Sequence, residues 1–313
     1  MSVEVSRAGI LALLTDGGRF GQHQLGLTSG GPMDPFAFHW ANRLCENAPD
    51  ATAIEVTVGG LGLRFHGPTR VAITGAEVAV TINGKAVERW RSHAVKADDQ
   101  LKIAYAQKGC RCYVAVSGGF QVKPFLGSTS TVVREGVGGL NGQALQNGDF
   151  IESASDNSQQ CWRLPPAELP RYSNWLPLRV IPGYQNEVFH PQQQRLFFQS
   201  SYQVGKLSDR MGYRLSGPPI RAGVEGILSE GICLGAIQIP ADGQPIVLMN
   251  DRQTIGGYPK IGSVLSLDLA RLAQLKPGDK VNFAAITLES AHRALQLASK
   301  HFASVQAEAI TVD

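Results

Sequence analysis

A chain of 313 residues, 43% hydrophobic and 18% charged, is long enough to bury two sizeable cores and reads as a globular protein. Its net charge of +3 comes with scattered basic residues, which argues against nucleic acid as a partner, and apolar runs such as 113–116 and 246–249 are far too short to cross a bilayer. The five cysteines (Cys45, Cys110, Cys112, Cys161 and Cys233) have no CxxC spacing and no histidine completes a metal set, so buried thiols in a reduced cytoplasm are expected, the more so as no signal-like segment opens the chain.

The 35 glycines and 17 prolines suit many tight turns between short strands. Residues 7–14 read as a strand, followed by a polar glycine loop at 16–21 and a second at 29–33. Asp34 then offers an N-cap and Pro35 a first helical position, with Phe36, Ala37, Trp40, Ala41 and Leu44 on one face, which predicts a helix over 35–44 ended near Asn47. β-type runs follow at 71–73, 78–82, 101–104, 112–116 and 150–152, and Asn83-Gly84 marks a hairpin. Short strands at this spacing predict a barrel or sandwich. Residues 153–174 lose periodicity and gather Ser, Asn, Gln and Pro, so a linker is placed at 161–175 between an N-terminal β-barrel-type domain, 1–160, and a C-terminal domain, 176–313. A strand at 178–182 opens the second half, and Leu288, Ala291, Leu295, Ala298, Phe302 and Val305 step by three and four, predicting an amphipathic helix packed on its own barrel. Asp98-Asp99, Gly148-Asp149 and Gly278-Asp279 each precede a strand, a shared pattern that suggests a distant duplication.

Common nucleotide and hydrolase motifs are missing. There is no GxxxxGK[ST], the glycines at 136–142 miss GxGxxG, no GxSxG occurs, and no two histidines stand at metal-ligand spacing. What remains is a set of polar loops. Asp251, Arg252, Gln253 and Thr254, followed by Gly256, Gly257, Tyr258 and Pro259, interrupt an apolar strand with a carboxylate, a guanidinium, an amide and a hydroxyl. Arg can grip a carboxylate or phosphate in two parallel bonds, and paired glycines let a ligand approach the backbone; a hairpin turn with a satisfied Asp–Arg pair is the plainer alternative. A second Asp-Arg pair stands at Asp209-Arg210 before Gly212, and Ser128, Thr129, Ser130 and Thr131 present four hydroxyls that either bind an anion or cap local backbone.

At these residues a resemblance emerges. The stretches GGRFGQHQLGLTSGGPMDPFAFHWANRL, VAVSGGF with FLGSTST, LSDRMGYRLSGP, SEGICLGAIQIPADGQPIVLMNDRQTIGGYPKIG and LAQLKPGDKVNF resemble the KipA family, also called allophanate hydrolase subunit 2 or the biotin-dependent carboxyltransferase-like family, nearly throughout the chain. The resemblance implies a mainly β fold of two cyclophilin-like β-barrel domains with a few peripheral helices. It further implies the C component of an ATP-dependent 5-oxoprolinase, working with a KipI-like B component and a LamB/YcsF-like A component to convert 5-oxo-L-proline to L-glutamate. A regulator that antagonises a KipI-like kinase inhibitor, or a carboxyltransferase component acting on carboxybiotin and a urea-like amide, are the alternatives. On this reading Asp209, Asp251 and Arg252 are the candidate catalytic residues, and Arg210, Gln253, Tyr258, Ser128 and Ser130 the candidate substrate-binding ones. Two positions depart from the family pattern, Thr129 and Gln143, where an Arg is common.

Overall fold

The computed structural model describes residues 1–224 and 226–310, which divide into two compact units. The first comprises Met1–Phe20, Gly30–Tyr172 and the described part of Gln306–Asp313. Its strands form two seven-stranded sheets. One runs Phe120–Gln121, Phe150–Ser153, Ser2–Ala8, Leu61–Phe65, Gln100–Ile103, Val80–Ile82, Lys85–Val87; the other Leu11–Thr15, Ala53–Thr57, Lys108–Val116, Thr69–Glu77, Arg91–Val95, Cys161–Arg163, Glu308–Ile310. Val3, Val5, Leu63, Phe65 and Leu101 from the first meet Leu14, Ile54, Val56, Ile73 and Val114 from the second in one core. Alternate positions along each strand point inward, so each sheet gives this core one face.

Helix α1, Pro35–Leu44, starts as the sequence predicts: the Asp34 carboxylate accepts from the Ala37 amide at 3.1 Å, and Ala37, Phe38, Trp40, Ala41 and Leu44 are buried. Asn83 (φ +53°) and Gly84 (φ +79°) form the two-residue turn between Val80–Ile82 and Lys85–Val87, the conformation an Asn-Gly hairpin needs. The expected strand 7–14 is instead two strands broken at Gly9, whose φ is +73° and where a Cβ would lie 2.6 Å from the Gly59 carbonyl oxygen. The stretch expected to link the domains contains the strand Cys161–Arg163, paired on one side with Arg91–Val95 and on the other with Glu308–Ile310.

The second unit, Gly21–Ser29 with Ser173–Val305, is built on a closed barrel. Around it run Trp175–Pro182, Lys260–Val264, Ala236–Gln238, Ile246–Leu248, Gly212–Ser216, Ser201–Val204 and Lys280–Ala285, the last returning in parallel to the first. Leu178, Val180, Val247, Ile261, Val281 and Phe283 are buried, and Phe197 of α2 (Pro191–Gln199) stacks on Phe283 with ring centroids 4.3 Å apart. Helix α3, Ser266–Leu272, is tied to the barrel by a two-bonded ion pair between Arg179 and Asp268, at 2.9 and 2.6 Å. Helix α4, Leu288–Ser304, follows the predicted periodicity; Ala291 is buried on it, while Leu288 and Leu297 are exposed. A two-stranded ribbon, Glu230–Gly231 with Ile255–Gly256, stands apart from the barrel sheet.

The three Gly/Asp-to-strand starts share one mechanism. Asp99, Asp149 and Asp279 each accept the amide of the residue three positions earlier, at 2.9, 2.7 and 2.8 Å, closing a turn before the strand begins. The shared pattern therefore has a local cause in turn chemistry.

Candidate functional site

The two Asp-Arg loops of the barrel unit lie side by side. Backbone bonds from Met249 N to Met211 O (2.9 Å) and from Asp251 N to Arg210 O (2.8 Å) hold them in register. The charges then pair across the loops rather than within them: Arg210 Nε donates to Asp251 Oδ2 at 2.8 Å and Nη2 to Oδ1 at 2.9 Å. Both side chains are more than nine-tenths buried. Such a fork-to-fork pair is rigid and locks the loops together. Asp209, by contrast, is exposed and accepts from the Met211 and Gly212 amides at 2.8 and 3.1 Å, closing its own turn. Of the carboxylates expected among the catalytic residues, both Asp251 oxygens and one Asp209 oxygen are committed to holding the chain.

That pairing leaves Arg252 as the cation of the cluster with no carboxylate partner among the described residues. Its Nε donates to the Ile232 carbonyl at 3.1 Å and Nη1 to the Met249 carbonyl at 3.5 Å. Only 7% of the residue is exposed, and burial pushes its pKa down from the ordinary arginine value. The side chain lines an open cleft of about 600 Å³ together with His23, Gln24, Cys233, Thr254 and Ile255. Carbonyl dipoles solvate a guanidinium without neutralising it, so an anion in the cleft would meet a fixed positive charge in a partly dehydrated setting. Gln253 is half-buried and Tyr258 exposed, and the side chain of neither makes a hydrogen bond among the described residues.

Ser128 and Ser130 belong to the other unit. Their hydroxyls do hold a carboxylate, but the chain supplies it: Ser128 Oγ and Ser130 Oγ donate to Asp16 Oδ1 at 2.6 and 2.7 Å, and Thr129 N donates to Asp16 Oδ2 at 2.6 Å. Burial raises the Asp16 pKa, but these bonds with that from Gly18 N outweigh it and hold the carboxyl below its usual range. Arg19, fully buried, donates to the Phe125, Ser128 and Ser130 carbonyls and braces the same loop. The hydroxyls expected to contact substrate thus fasten the loop to Asp16.

One cluster escaped the sequence reading. Glu230 on the ribbon accepts from Lys260 Nζ and the Tyr184 hydroxyl, and from Gln185 Nε2 at 2.7 Å. Lys260 opens a barrel strand and is 8% exposed, a burial that Lys rarely reaches unpaired. The available signal was a Lys at the start of the short strand Lys260–Val264, KIGSV; its partners lie 30 and 75 residues away and leave no local trace.

A family model described as "Carboxyltransferase domain, subdomain A and B" matches residues 25–285. The chain is 36% identical to the C subunit of 5-oxoprolinase from Escherichia coli (strain K12) over 302 residues, covering 96% of this chain and 96% of that protein. It is 36% identical to the C subunit of 5-oxoprolinase from Haemophilus influenzae, covering 90% of each. Its fold superimposes on the crystal structure of Kluyveromyces lactis urea carboxylase with a TM-score of 0.90 and 28% identity, over 96% of this chain and 29% of that one. The mainly β, barrel-containing fold expected from the sequence is thereby established.

Proposed function

Since the chain belongs to the carboxyltransferase family of subdomains A and B, we propose that it is the C component of an ATP-dependent 5-oxoprolinase, cleaving 5-oxo-L-proline to L-glutamate with a KipI-like B component and a LamB/YcsF-like A component. The observation that carries this reading is the end-to-end match to the 5-oxoprolinase C subunits of two bacteria, each covered over nine-tenths or more of its length.

The chemistry fits the charges in the cleft. An unstrained lactam is stabilised by amide resonance and resists water. Phosphorylation of its oxygen by ATP, a substrate of the complex, supplies a leaving group, and progress then depends on donors that stabilise anionic oxygens. In this reading Arg252 receives the carboxylate or phosphate, with Thr254 beside it, and Gln253 bonds the lactam amide. Arg210 and Asp251 are positioning residues that fix the loop carrying Arg252, and Tyr258 lies within the same loop. The remaining groups are assigned to the partner proteins.

Co-expression with its genomic neighbours, followed by assay of glutamate and ADP formed from 5-oxo-L-proline and ATP, tests the proposal. Arg252→Ala is expected to lower kcat/KM by about 10- to 100-fold, the worth of a charge-assisted bond. Full activity in the variant would sink the site assignment, and no 5-oxoproline-dependent ATP hydrolysis in the assembled complex would sink the function. The fold match to urea carboxylase supports a second reading, transfer of a carboxyl group from carboxybiotin; capture of a biotinylated carrier protein by the chain would favour it.

A further inference from the structure

The Glu230 cluster has the construction of a receptor filled from outside. Its donors come from two elements of the barrel unit: Tyr184 and Gln185 from the 3-10 turn Tyr184–Val188, and Lys260 from the barrel strand. Lys260 N also donates to Gln185 Oε1 at 2.9 Å, which orients the amide so that its NH2 faces the carboxylate. Three donors converging on one carboxylate oxygen is the geometry of an anion seat. Lys260 and Gln185 are buried, whereas Tyr184 is exposed and closes the seat from the solvent side, and the Glu230 side chain remains one-third exposed. Lys260, through its hydrogen bond, is the main reason the Glu230 carboxyl is held below its usual range, so the occupant is a carboxylate at neutral pH.

A fourth donor goes unused. Gln238 stands opposite Lys260 in the barrel sheet, is 2% exposed, and its Nε2 is buried with no hydrogen-bond partner among the described residues. A Cβ placed on Gly256 would lie 2.8 Å from that nitrogen, and Gly256 is the register partner of Glu230. The orphan amide therefore lies against the rung that carries Glu230. The ribbon itself has two residues per strand, too few to be stable alone, and glycine supplies one residue of each strand.

We infer that Lys260, Tyr184, Gln185 and Gln238 form a seat for the carboxylate of a small organic acid, and that Glu230 is an intramolecular occupant which such a ligand displaces as the ribbon lifts. The seat does not depend on the reaction proposed above. A ligand with a second acceptor also satisfies Gln238 Nε2, which Glu230 leaves orphaned, so exchange replaces an incomplete set of bonds by a complete one.

Calorimetric titration of the full chain with sodium acetate, and separately with 5-oxo-L-proline, tests this. Glu230→Ala is expected to bind acetate about tenfold more tightly than the wild type, because the competing state is removed. Adding Lys260→Met to that variant should abolish the gain. Glu230→Gln, which keeps the shape but not the charge, should shift affinity in the same direction and serves as the test if near-ultraviolet circular dichroism shows that the alanine variant has not folded. Equal acetate affinity in wild type and in the folded Glu230 variants overturns the inference, as does a gain that survives Lys260→Met. A gain for acetate without one for 5-oxo-L-proline upholds the seat and removes the lactam acid as its ligand, leaving the Arg252 assay to decide the reaction separately.

Discussion

Replacing Asp251 by alanine removes one half of the pair that locks the two Asp-Arg loops. Two bonds are lost, at 2.8 and 2.9 Å, and the Arg210 guanidinium, 7% exposed, loses the carboxylate that grips it through both of them. Two charge-assisted bonds contribute roughly 1.5–3 kcal/mol each before desolvation is counted, and breaking a buried pair from one side costs about 3–5 kcal/mol. At roughly 2–4 °C per kcal/mol for a unit of this size, the melting temperature of the barrel unit should fall by about 10 °C. The double variant Arg210→Met/Asp251→Leu removes both charges and substitutes apolar volume, so it should recover most of that loss. Urea denaturation of the wild type, the single and the double variant measures the differences. An Asp251→Ala variant within about 1 kcal/mol of wild type, or a double variant no better than the single, refutes the view that this ion pair fastens the loops.

Asp16 gives the first unit an acid-sensitive clasp. Its folded pKa is depressed, so its stabilisation is fully present above the unfolded value of about 3.9 and is lost as pH falls from there through the folded value. Asp16→Asn should lower the urea midpoint at pH 7 and flatten its decline below about pH 4; an unchanged acid slope would rule out the clasp. Gly256→Ala would place a Cβ 2.4 Å from Ile232 Cδ1 and 2.8 Å from Gln238 Nε2, so the ribbon must shift. Amide exchange at Ile232, which donates to the Thr254 carbonyl at 3.0 Å, should accelerate while global stability changes by only about 1–2 kcal/mol. Cys45 and Cys112 are buried and pushed up to about 12 by burial, and Cys110 and Cys161 are buried too, whereas Cys233 is exposed. Brief iodoacetamide treatment of the native chain should therefore label Cys233 alone, as mass spectrometry would show.

Features governed by neighbours in the chain were legible from the residues. Asp34 with Pro35 announced α1, Asn83-Gly84 announced its hairpin, and the three-and-four spacing of Leu288 to Phe302 announced α4. Where the reading failed, the cause lay at long range or in a single backbone angle. Gly9 splits an apparently continuous strand because Gly59 approaches it closely. The short strand Cys161–Arg163 carries no periodicity of its own and exists because Arg91–Val95 and Glu308–Ile310 flank it. The site divided the same way. Arg210, Asp251 and Arg252 were visible as unusual polar residues, but that Arg210 takes Asp251 and leaves Arg252 with no carboxylate partner among the described residues depends on pairing across 41 residues. Asp16, which binds the hydroxyl loop from more than 110 positions away, and Glu230, which fills the Lys260 seat, were not visible at all.

The strand Glu308–Ile310 has a consequence for the order in which the molecule can be made. It pairs with Cys161–Arg163, and Arg163 Nε donates to Glu308 across 145 positions of sequence that include most of the barrel unit. On a ribosome adding about 5–20 residues per second, that edge of the first unit's sheet waits roughly 7–30 s for its last strand. Through that interval the strand shows an unpaired row of amides and carbonyls to whatever else is in the cell. This edge is therefore most vulnerable between synthesis of Cys161–Arg163 and that of Glu308–Ile310, and loss of the residues that follow the barrel would be felt first in the sheet of the other unit.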